Sequence, residues 1–500
     1  MAQIKKILAG ALALCMAGSV LTACGGDTGT ADSGASTTKA ADEKKDDASS
    51  EEKKDEAKTD DSKTEEKKDE APATDFAFAE GQTGGAVYNI YCWNNEFQSR
   101  LGKYYEKGTD KKVEYDADGI VKSIDGVSVN WIINTNEGNV YQDKLDEAIK
   151  AQKEGAGDAN IDLFLVEADY ALKYVNQDIT LDVKSELGLT DSDLSEQYKY
   201  TQDVMTDSNG LLKGVSWQAT PGLFMYNAEV AKDVLGTDDP EAVQAELSDW
   251  DKFTAVAEKA KAKGYAMVSG FDDTYRCFSN NVSGPWVTDG KITVDPQIKA
   301  WVDQTKDYTD KGYNNKTSLW DDAWKAGQKI DGKTFGYFFS TWGIAFTLKD
   351  NTGDDGFGKW RACAGPQSYF WGGTWICGAY GSDNYDITAD IMKAMTCNKD
   401  VAKAITEGEQ DYTNNKAAIK ELIDGGYTND FLGGQNHLAL LTDAADKIDL
   451  SNKLSAYDQG CNEEFQGAMK DYFNGNATYD EALANFKTKI TTKYNTLTMD

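Results

Sequence analysis

Residues 214–230, GVSWQATPGLFMYNAEV, decide how this chain is read. A strand-like pair of apolar positions, Val215 and Trp217, runs into Thr220-Pro221-Gly222, and a second apolar run, Leu223-Phe224-Met225-Tyr226, follows at once. Pro221 cannot donate to a sheet ladder, and Gly222 is open to dihedrals that other residues avoid. Taken alone, the stretch fits either an edge strand with a bulge or a chain leaving one sheet for another. The flanking sequence separates the two.

The beginning of the chain has an export signature. Lys5 and Lys6 precede an apolar stretch over 7–20, and Leu21-Thr22-Ala23-Cys24-Gly25 follows. A charged start, an apolar run too short to span a bilayer and a small-residue cleavage site describe a secretory signal over 1–23. The Leu-Thr-Ala-Cys tetrad resembles the bacterial lipobox, which implies lipidation of Cys24 and a membrane anchor through its acyl chains. From Gly25 to about Asp75 the composition is Ala, Ser, Thr, Lys, Asp and Glu with almost no apolar side chains, so residues 24–84 are expected to carry the lipid and a disordered acidic tether.

The remainder is longer than one core usually serves, and two domains are expected. A formal net charge of −32 argues against nucleic acid or an anionic membrane surface as partner. Twelve Trp and 25 Tyr are present, several beside Gly, Asn and Asp rather than inside apolar runs. Of eight Cys, the six beyond the signal and lipid site (Cys92, Cys277, Cys363, Cys377, Cys397, Cys461) have no CxxC spacing and no His partners, so no metal and no cofactor is expected. Cys363 and Cys377 are spaced to bridge two strands, or to stand as buried thiols.

In chain order, residues 87–93 form a strand that runs into Asn94-Asn95-Glu96, and a helix is predicted over 97–107. Asp116 to Gly119 and Asp125-Gly126 mark hairpin turns. Tyr141, Leu145, Ala148, Ile149 and Gln152 line one helix face that Gly155 can end. The continuous apolar run 161–166 then describes a strand buried on both faces, delivering Glu167, Asp169 and Tyr170 at its end. Strand, helix and buried strand in succession indicate a parallel α/β sheet. After 214–230 the plan begins again. Ser248 caps a helix carrying Trp250 and Phe253 toward the core, a strand at 266–268 ends near Asp272, Asp273 and Arg276, and the strand 335–339 ends in Ser340-Thr341-Trp342-Gly343. Residues 366–375 make a Gly- and Trp-rich loop, and from 387 onward the chain is mostly helical.

At this point the chain resembles the extracellular solute-binding proteins of bacterial ABC importers, in the maltose-binding-protein-like carbohydrate class. The resemblance rests on Asp162-Leu-Phe-Leu followed by Asp169, on Tyr226-Asn227 before a helix and Leu247-Ser-Asp-Trp250, and on Phe338-Phe-Ser-Thr-Trp-Gly343. Its closest part is terminal, in Asn474-Gly-Asn-Ala-Thr478, Asp480-Glu-Ala-Leu483 and Lys489-Ile490-Thr491. The sequence departs from the pattern at Leu247-Ser-Asp-Trp, which lacks the usual proline, and at an insertion-like hairpin over 116–130. Asn462-Glu463 stands where relatives place an aromatic residue.

The resemblance implies an α/β, class II periplasmic-binding-protein-like fold, with two lobes, a ligand cleft between them and three crossings. One lobe is expected over 85–217 plus about 361–392, the other over 218–360 plus about 393–500. Residues 214–230 then become the first crossing. The implied role is capture of a carbohydrate outside the cell by a monomer that delivers it to the transmembrane permease subunits. Aromatic rings stack on the C–H faces of pyranoses, and carboxylates, amides and guanidinium groups bind hydroxyls. On that basis Trp93, Trp217, Trp342 and Trp371 are the expected stacking platforms. Asn95, Glu96, Asp169, Gln218 and Arg276 are the expected polar contacts, while Trp301, Trp320 and Trp324 stay unassigned. Two rival readings use the same residues: a secreted glycoside hydrolase, which needs a pair of suitably spaced carboxylates, and a receptor for a non-sugar solute such as a polyamine or peptide. The single histidine, His437, has no nucleophile motif beside it, and a structural polar role is expected for it.

Overall fold

The computed structural model describes residues 76–155 and 160–499. The signal segment, Cys24 and nearly all of the tether lie outside the described residues. Among those described, no helix is long and apolar enough to cross a membrane.

The larger sheet has seven strands in the order Val113–Tyr115, Val121–Ile124, Val127–Ile133, Val87–Cys92, Leu163–Glu167, Thr374–Gly378, Val215–Ser216. Val87–Cys92 is central and parallel to both neighbours, with Tyr91 opposite Ile132 on one side and Phe164 on the other. Leu163, Phe164, Leu165 and Val166 are all buried, which is why that strand is continuously apolar instead of alternating, while Val87–Cys92 buries Tyr88, Ile90 and Cys92 together with the polar Asn89. The helices Glu96–Tyr104 and Val140–Lys153 supply the crossovers, and Gly155, at φ +91°, follows the second. The hairpin over 116–130 is built into the larger sheet. Its second arm belongs to Val127–Ile133, an integral neighbour of the central strand.

A second sheet is built from Leu223–Asn227 flanked antiparallel by Gly336–Phe339 and Trp360–Cys363. A parallel pair, Val268–Gly270 with Asn314–Thr317, is tied to it through the bridge of Ala266 with Thr334. The helix Trp250–Ala262 packs here through Phe253, whose ring meets Phe224 and Phe338. Its cap is Asp249, which accepts from the Lys252 amide at 2.9 Å, rather than Ser248 one residue earlier. The terminal helix Tyr479–Lys493 begins with a full capping box between Thr478 and Glu481, a physical reason for the Thr-x-x-Glu spacing seen in the sequence.

Three chain segments pass between the sheets and touch one another. The first is 214–230. Val215–Ser216 pairs in the larger sheet and Leu223–Asn227 in the second, so the stretch is a crossing and not a bulged edge. The second segment joins Trp360–Cys363 to Thr374–Gly378, and Phe370 bridges Pro221. The third lies around 411–414, where Gln218 bridges Thr413 and the Asn414 amide donates to the Trp217 carbonyl at 2.8 Å. The helix before it, Lys399–Glu409, approaches Glu96–Tyr104 through the Arg100–Glu409 ion pair at 2.7 Å.

The special backbone in the first crossing falls on Thr220, at φ +48°, and not on Gly222. Gly222 is required for another reason. A Cβ there would sit 2.0 Å from Tyr369 Cζ, and that tyrosine is fixed by donating to the carbonyls of Leu223 and Phe339 at 3.0 and 3.1 Å. Cys363 and Cys377 belong to different sheets, and all six described cysteines are free thiols. His437 is fully buried with neither ring nitrogen hydrogen-bonded, and burial depresses it to about 4, so it packs as a neutral ring beside Tyr427.

Candidate functional site

The carboxyl ends of the parallel strands and the crossings enclose a cleft of about 310 Å³. Strand end 92/93 brings Trp93, Asn94 and Glu96, and strand end 167 brings Glu167 and Asp169. The segment after Val127–Ile133 adds Thr135 and Asn136, and the first crossing adds Gln218. From the second sheet's side come Arg276, Trp320, Trp342 and Phe346, and the second crossing supplies Trp371, Gly372 and Gly373. This is where open α/β sheets place ligands.

Four indoles line it. Trp93 is half-buried and held edge-on by Tyr141 (centroids 5.6 Å apart) and Tyr170 (6.0 Å). Tyr141 is itself fixed by donating to the Leu165 carbonyl at 2.6 Å. Across the cleft, Trp320, Trp342 and Trp371 form one cluster, with centroids 6.0 Å apart for Trp320–Trp342 and 4.9 Å for Trp342–Trp371. Trp320 has φ +72°, a conformation that bulky residues rarely hold and that concentrates at functional sites. Trp342 is followed by a π-helical stretch, Ile344–Lys349, which carries the exposed Phe346 into the rim. Gly372, at φ +78°, lies against the Trp342 indole; a Cβ there would be 3.1 Å from Nε1.

The polar groups are tightly held. Asp169 and Arg276 form a bidentate pair across the cleft, with Nη1–Oδ1 at 2.6 Å and Nη2–Oδ2 at 2.8 Å, and the guanidinium lies 5.8 Å from the Trp371 ring. Glu167 accepts from the Asp169 amide at 2.8 Å. Burial, reinforced by the neighbouring Asp169 charge, holds its carboxyl far above the usual carboxylate range. Glu96 is pushed up to about 7 by burial, with Arg100 opposing. Gln218 bridges two carboxylates, donating to Asp411 at 2.7 Å and to Glu96 at 3.3 Å. Glu96 and Asp411 are thereby joined across the first and third crossings.

Of the residues expected from sequence, the structure brings Trp93, Glu96, Asp169, Gln218, Arg276, Trp342 and Trp371 into this one cleft. Two fall elsewhere. Trp217 is 1 % exposed and stacks on Phe97 at 5.4 Å, so its ring is core of the lobe built on the larger sheet. Its neighbour Gln218 points the other way, as alternation along an extended segment requires. Asn95 is exposed at the start of the helix Glu96–Tyr104, and Asn94, one residue earlier, lines the cleft and accepts from the Glu96 amide at 2.9 Å. Sequence reading missed Glu167 and Trp320. Glu167 had a signal, since it ends the apolar strand run. Trp320 had none, because its position depends on a left-handed backbone that no neighbouring glycine announces. Trp301 and Trp324 are fully buried, Trp324 donating to Asp273 at 2.8 Å, and neither belongs to the cleft. Among the described residues no cluster of His, Cys, Asp and Glu is arranged to hold a metal.

Comparison with known proteins agrees with this geometry. Residues 121–430 match the family model described as bacterial extracellular solute-binding protein. No curated protein matches the sequence. Among solved structures, an extracellular solute-binding protein family 1 structure superposes with a TM-score of 0.67 at 18% identity, covering 81% of this chain and 99% of its own. The ABC transporter associated binding protein of B. animalis subsp. lactis Bl-04, in complex with beta-1,6-galactobiose, gives 0.60 at 18% identity over 83% and 100%. The sugar-binding protein MalE of Xanthomonas citri gives 0.60 at 12% over 82% and 98%. At these identities the structures establish the two-lobed α/β fold, and the family match, which spans more than half of the chain, establishes membership. The chain belongs to the bacterial extracellular solute-binding protein family.

Proposed function

We propose that this protein is the substrate-binding component of an ABC importer, capturing a carbohydrate, most simply an oligosaccharide, outside the cell and delivering it to a membrane permease. The observation that carries the reading is the cleft wall itself, with Trp93 on one side and Trp320, Trp342 and Trp371 on the other. Such a slot receives a flat ring with apolar faces, and Glu167, Asp169, Gln218 and Arg276 meet the hydroxyls at its edge. Trp93, Glu96, Asp169, Gln218, Arg276, Trp342 and Trp371 are the proposed ligand contacts, joined by Trp320 and Glu167. The protein acts as a monomer, with one lobe over 85–217 plus about 374–409 and the other over 218–363 plus the chain beyond about 411, instead of the breaks expected near 361 and 392, because Trp360–Cys363 pairs with Leu223–Asn227 and Lys399–Glu409 packs on Glu96–Tyr104; it is anchored to the outer face of the membrane through lipid on Cys24. It performs no chemistry on its ligand.

Thermal shift of residues 76–500 against mono- and oligosaccharides tests this, since a ligand of the folded state raises the melting point by mass action. If polyamines or peptides shift the melting point and no sugar does, the carbohydrate reading is lost. Carboxyls raised by burial, such as Glu96, are also what a glycosidase acid needs. Release of reducing sugar from a bound oligosaccharide would therefore replace the importer reading by a hydrolase.

A further inference from the structure

A second, smaller cavity of about 60 Å³ adjoins the cleft, and both are lined by the same two side chains, Asp169 and Arg276. Behind that shared wall the smaller cavity runs past Asn280 and Gly284 to Trp286, Lys453, Leu454 and Asn462. Its volume as it stands admits a few waters and no sugar ring. Its lining nevertheless repeats the chemistry of the main cleft, with an indole and leucine surfaces for an apolar face and amide and ammonium groups for hydroxyls. Trp286 is held in place by donating to Asn462 Oδ1 at 2.8 Å, and Asn280 by accepting from the Phe370 amide at 2.7 Å. The two halves of the dividing wall are carried by different parts of the fold. Asp169 follows the strand Leu163–Glu167 of the larger sheet, and Arg276 sits on the helix Tyr275–Ser279 beyond Val268–Gly270.

We propose that the Asp169–Arg276 pair divides one groove into two compartments and sets the length of ligand the protein accepts, parting to let the further units of a longer glycan enter the compartment beside Trp286. The inference rests on the carbohydrate reading above. Both members of the pair are partly exposed, with side chains at 36 % and 23 %, so solvent and ligand hydroxyls can reach the pair and compete for it. Hydroxyl groups can replace each partner for the other, because a carboxylate accepts from a hydroxyl and a guanidinium donates to one. A short ligand leaves the wall intact. A longer one exchanges the ion pair for its own hydrogen bonds and gains the area of the inner compartment.

The test is a printed array of mono- to hexasaccharides in gluco-, galacto-, manno- and xylo-configurations, followed by calorimetric titration of the glycans retained. The full-length protein is compared with Gly284→Phe. Gly284 lines the inner cavity and not the main cleft, and an added Cβ there meets no atom within 4 Å, so a larger side chain can be introduced at the inner cavity wall. Lys453→Trp, on another wall of the cavity, serves if the first variant fails to fold. The expected result is wild-type affinity that rises with chain length and a loss of about tenfold for the longer glycans in the filled variant, with disaccharide binding unchanged. Affinity independent of length, or a filled variant that follows wild type at every length, would overturn the two-compartment proposal while leaving the sugar reading standing. An array that retains nothing overturns the sugar reading, and this inference with it.

Discussion

Trp342 donates its indole N–H to the carbonyl oxygen of Trp371 at 2.8 Å, and the two rings meet edge to face with an interplanar angle of 82°. A strand end of the second sheet is thereby locked to the second crossing at the point where both line the cleft. The hydrogen bond uses the polar edge of Trp342 and leaves ring surface for a ligand. Substituting Trp342 by Ala is expected to cost about 2 kcal/mol of binding, roughly thirtyfold in Kd for whichever sugar the thermal shift identifies. Trp342→Phe should recover part of that loss. Titration calorimetry on both variants decides it, and unchanged affinity in Trp342→Ala removes this ring from the site.

Trp217 gives the opposite signature. Its ring is stacked on Phe97 inside the lobe of the larger sheet, so Trp217→Ala leaves a cavity there and should destabilise the fold by about 4 kcal/mol. Denaturant midpoints measure this directly. A variant of normal stability and weakened ligand binding would return Trp217 to the cleft.

Gly222→Ala is expected to be among the most damaging single methyl additions in the chain. The new Cβ overlaps the Tyr369 ring, whose hydroxyl ties Leu223 to Phe339, so relief requires losing both hydrogen bonds. A loss of about 3 kcal/mol is expected. The companion change Tyr369→Ala should make the glycine substitution nearly neutral in a double-mutant cycle, and strict additivity would show that the two do not collide.

Stability should fall as pH rises from about 5 to 8. Glu96 and Glu167 have folded-state values raised by burial, as do Asp162 and Asp273, each at about 6. Between the unfolded and folded values the native state binds more protons than the unfolded one, so unfolding becomes easier as pH increases. His437, depressed to about 4, works in the other direction between pH 4 and 6.5 and limits the gain at the acid end. Glu167→Gln should flatten the slope above pH 6 in urea titrations. An unchanged slope would mean that this carboxylate is solvated at neutral pH.

Reducing agent should leave the melting point unchanged. The described cysteines are unpaired, and burial pushes Cys92, Cys363 and Cys461 up to about 12, so thiol reagents should reach these three only after unfolding. Rapid labelling of Cys92, Cys363 or Cys461 in the native protein would contradict this.

The parallel core was legible because its strands are largely buried and so read as mainly apolar runs, 87–92 and 161–166, interrupted only by Asn89 and Asp162 and followed by polar residues that must lie at the carboxyl edge. The crossing at 214–230 was legible through Pro221 and the two apolar runs around it. What stayed hidden depended on contacts distant in sequence. Whether Trp217 or Gln218 faced the cleft is a question of phase along a short extended segment, and that phase is set by Phe97 and Asp411 rather than by neighbours. The strand at 127–133 looked like part of an inserted hairpin because its burial alternates, with exposed Ser128 and Asn130, as in a strand covered on one face only. Trp320 enters the cleft through a backbone conformation that its own residue type disfavours, so propensity pointed away from it.

Thr374–Gly378 lies between Leu163–Glu167 and Val215–Ser216 and pairs with both. In a chain made from its N-terminus onward, the strand at 215 therefore has no partner until residue 374 has emerged, and the whole second sheet up to Cys363 is synthesised in that interval. The seven-stranded sheet is closed only after the strands of the second sheet have been made. Folding is bound to long-range closure, with slow kinetics and an open sheet edge at 163–167 in the meantime.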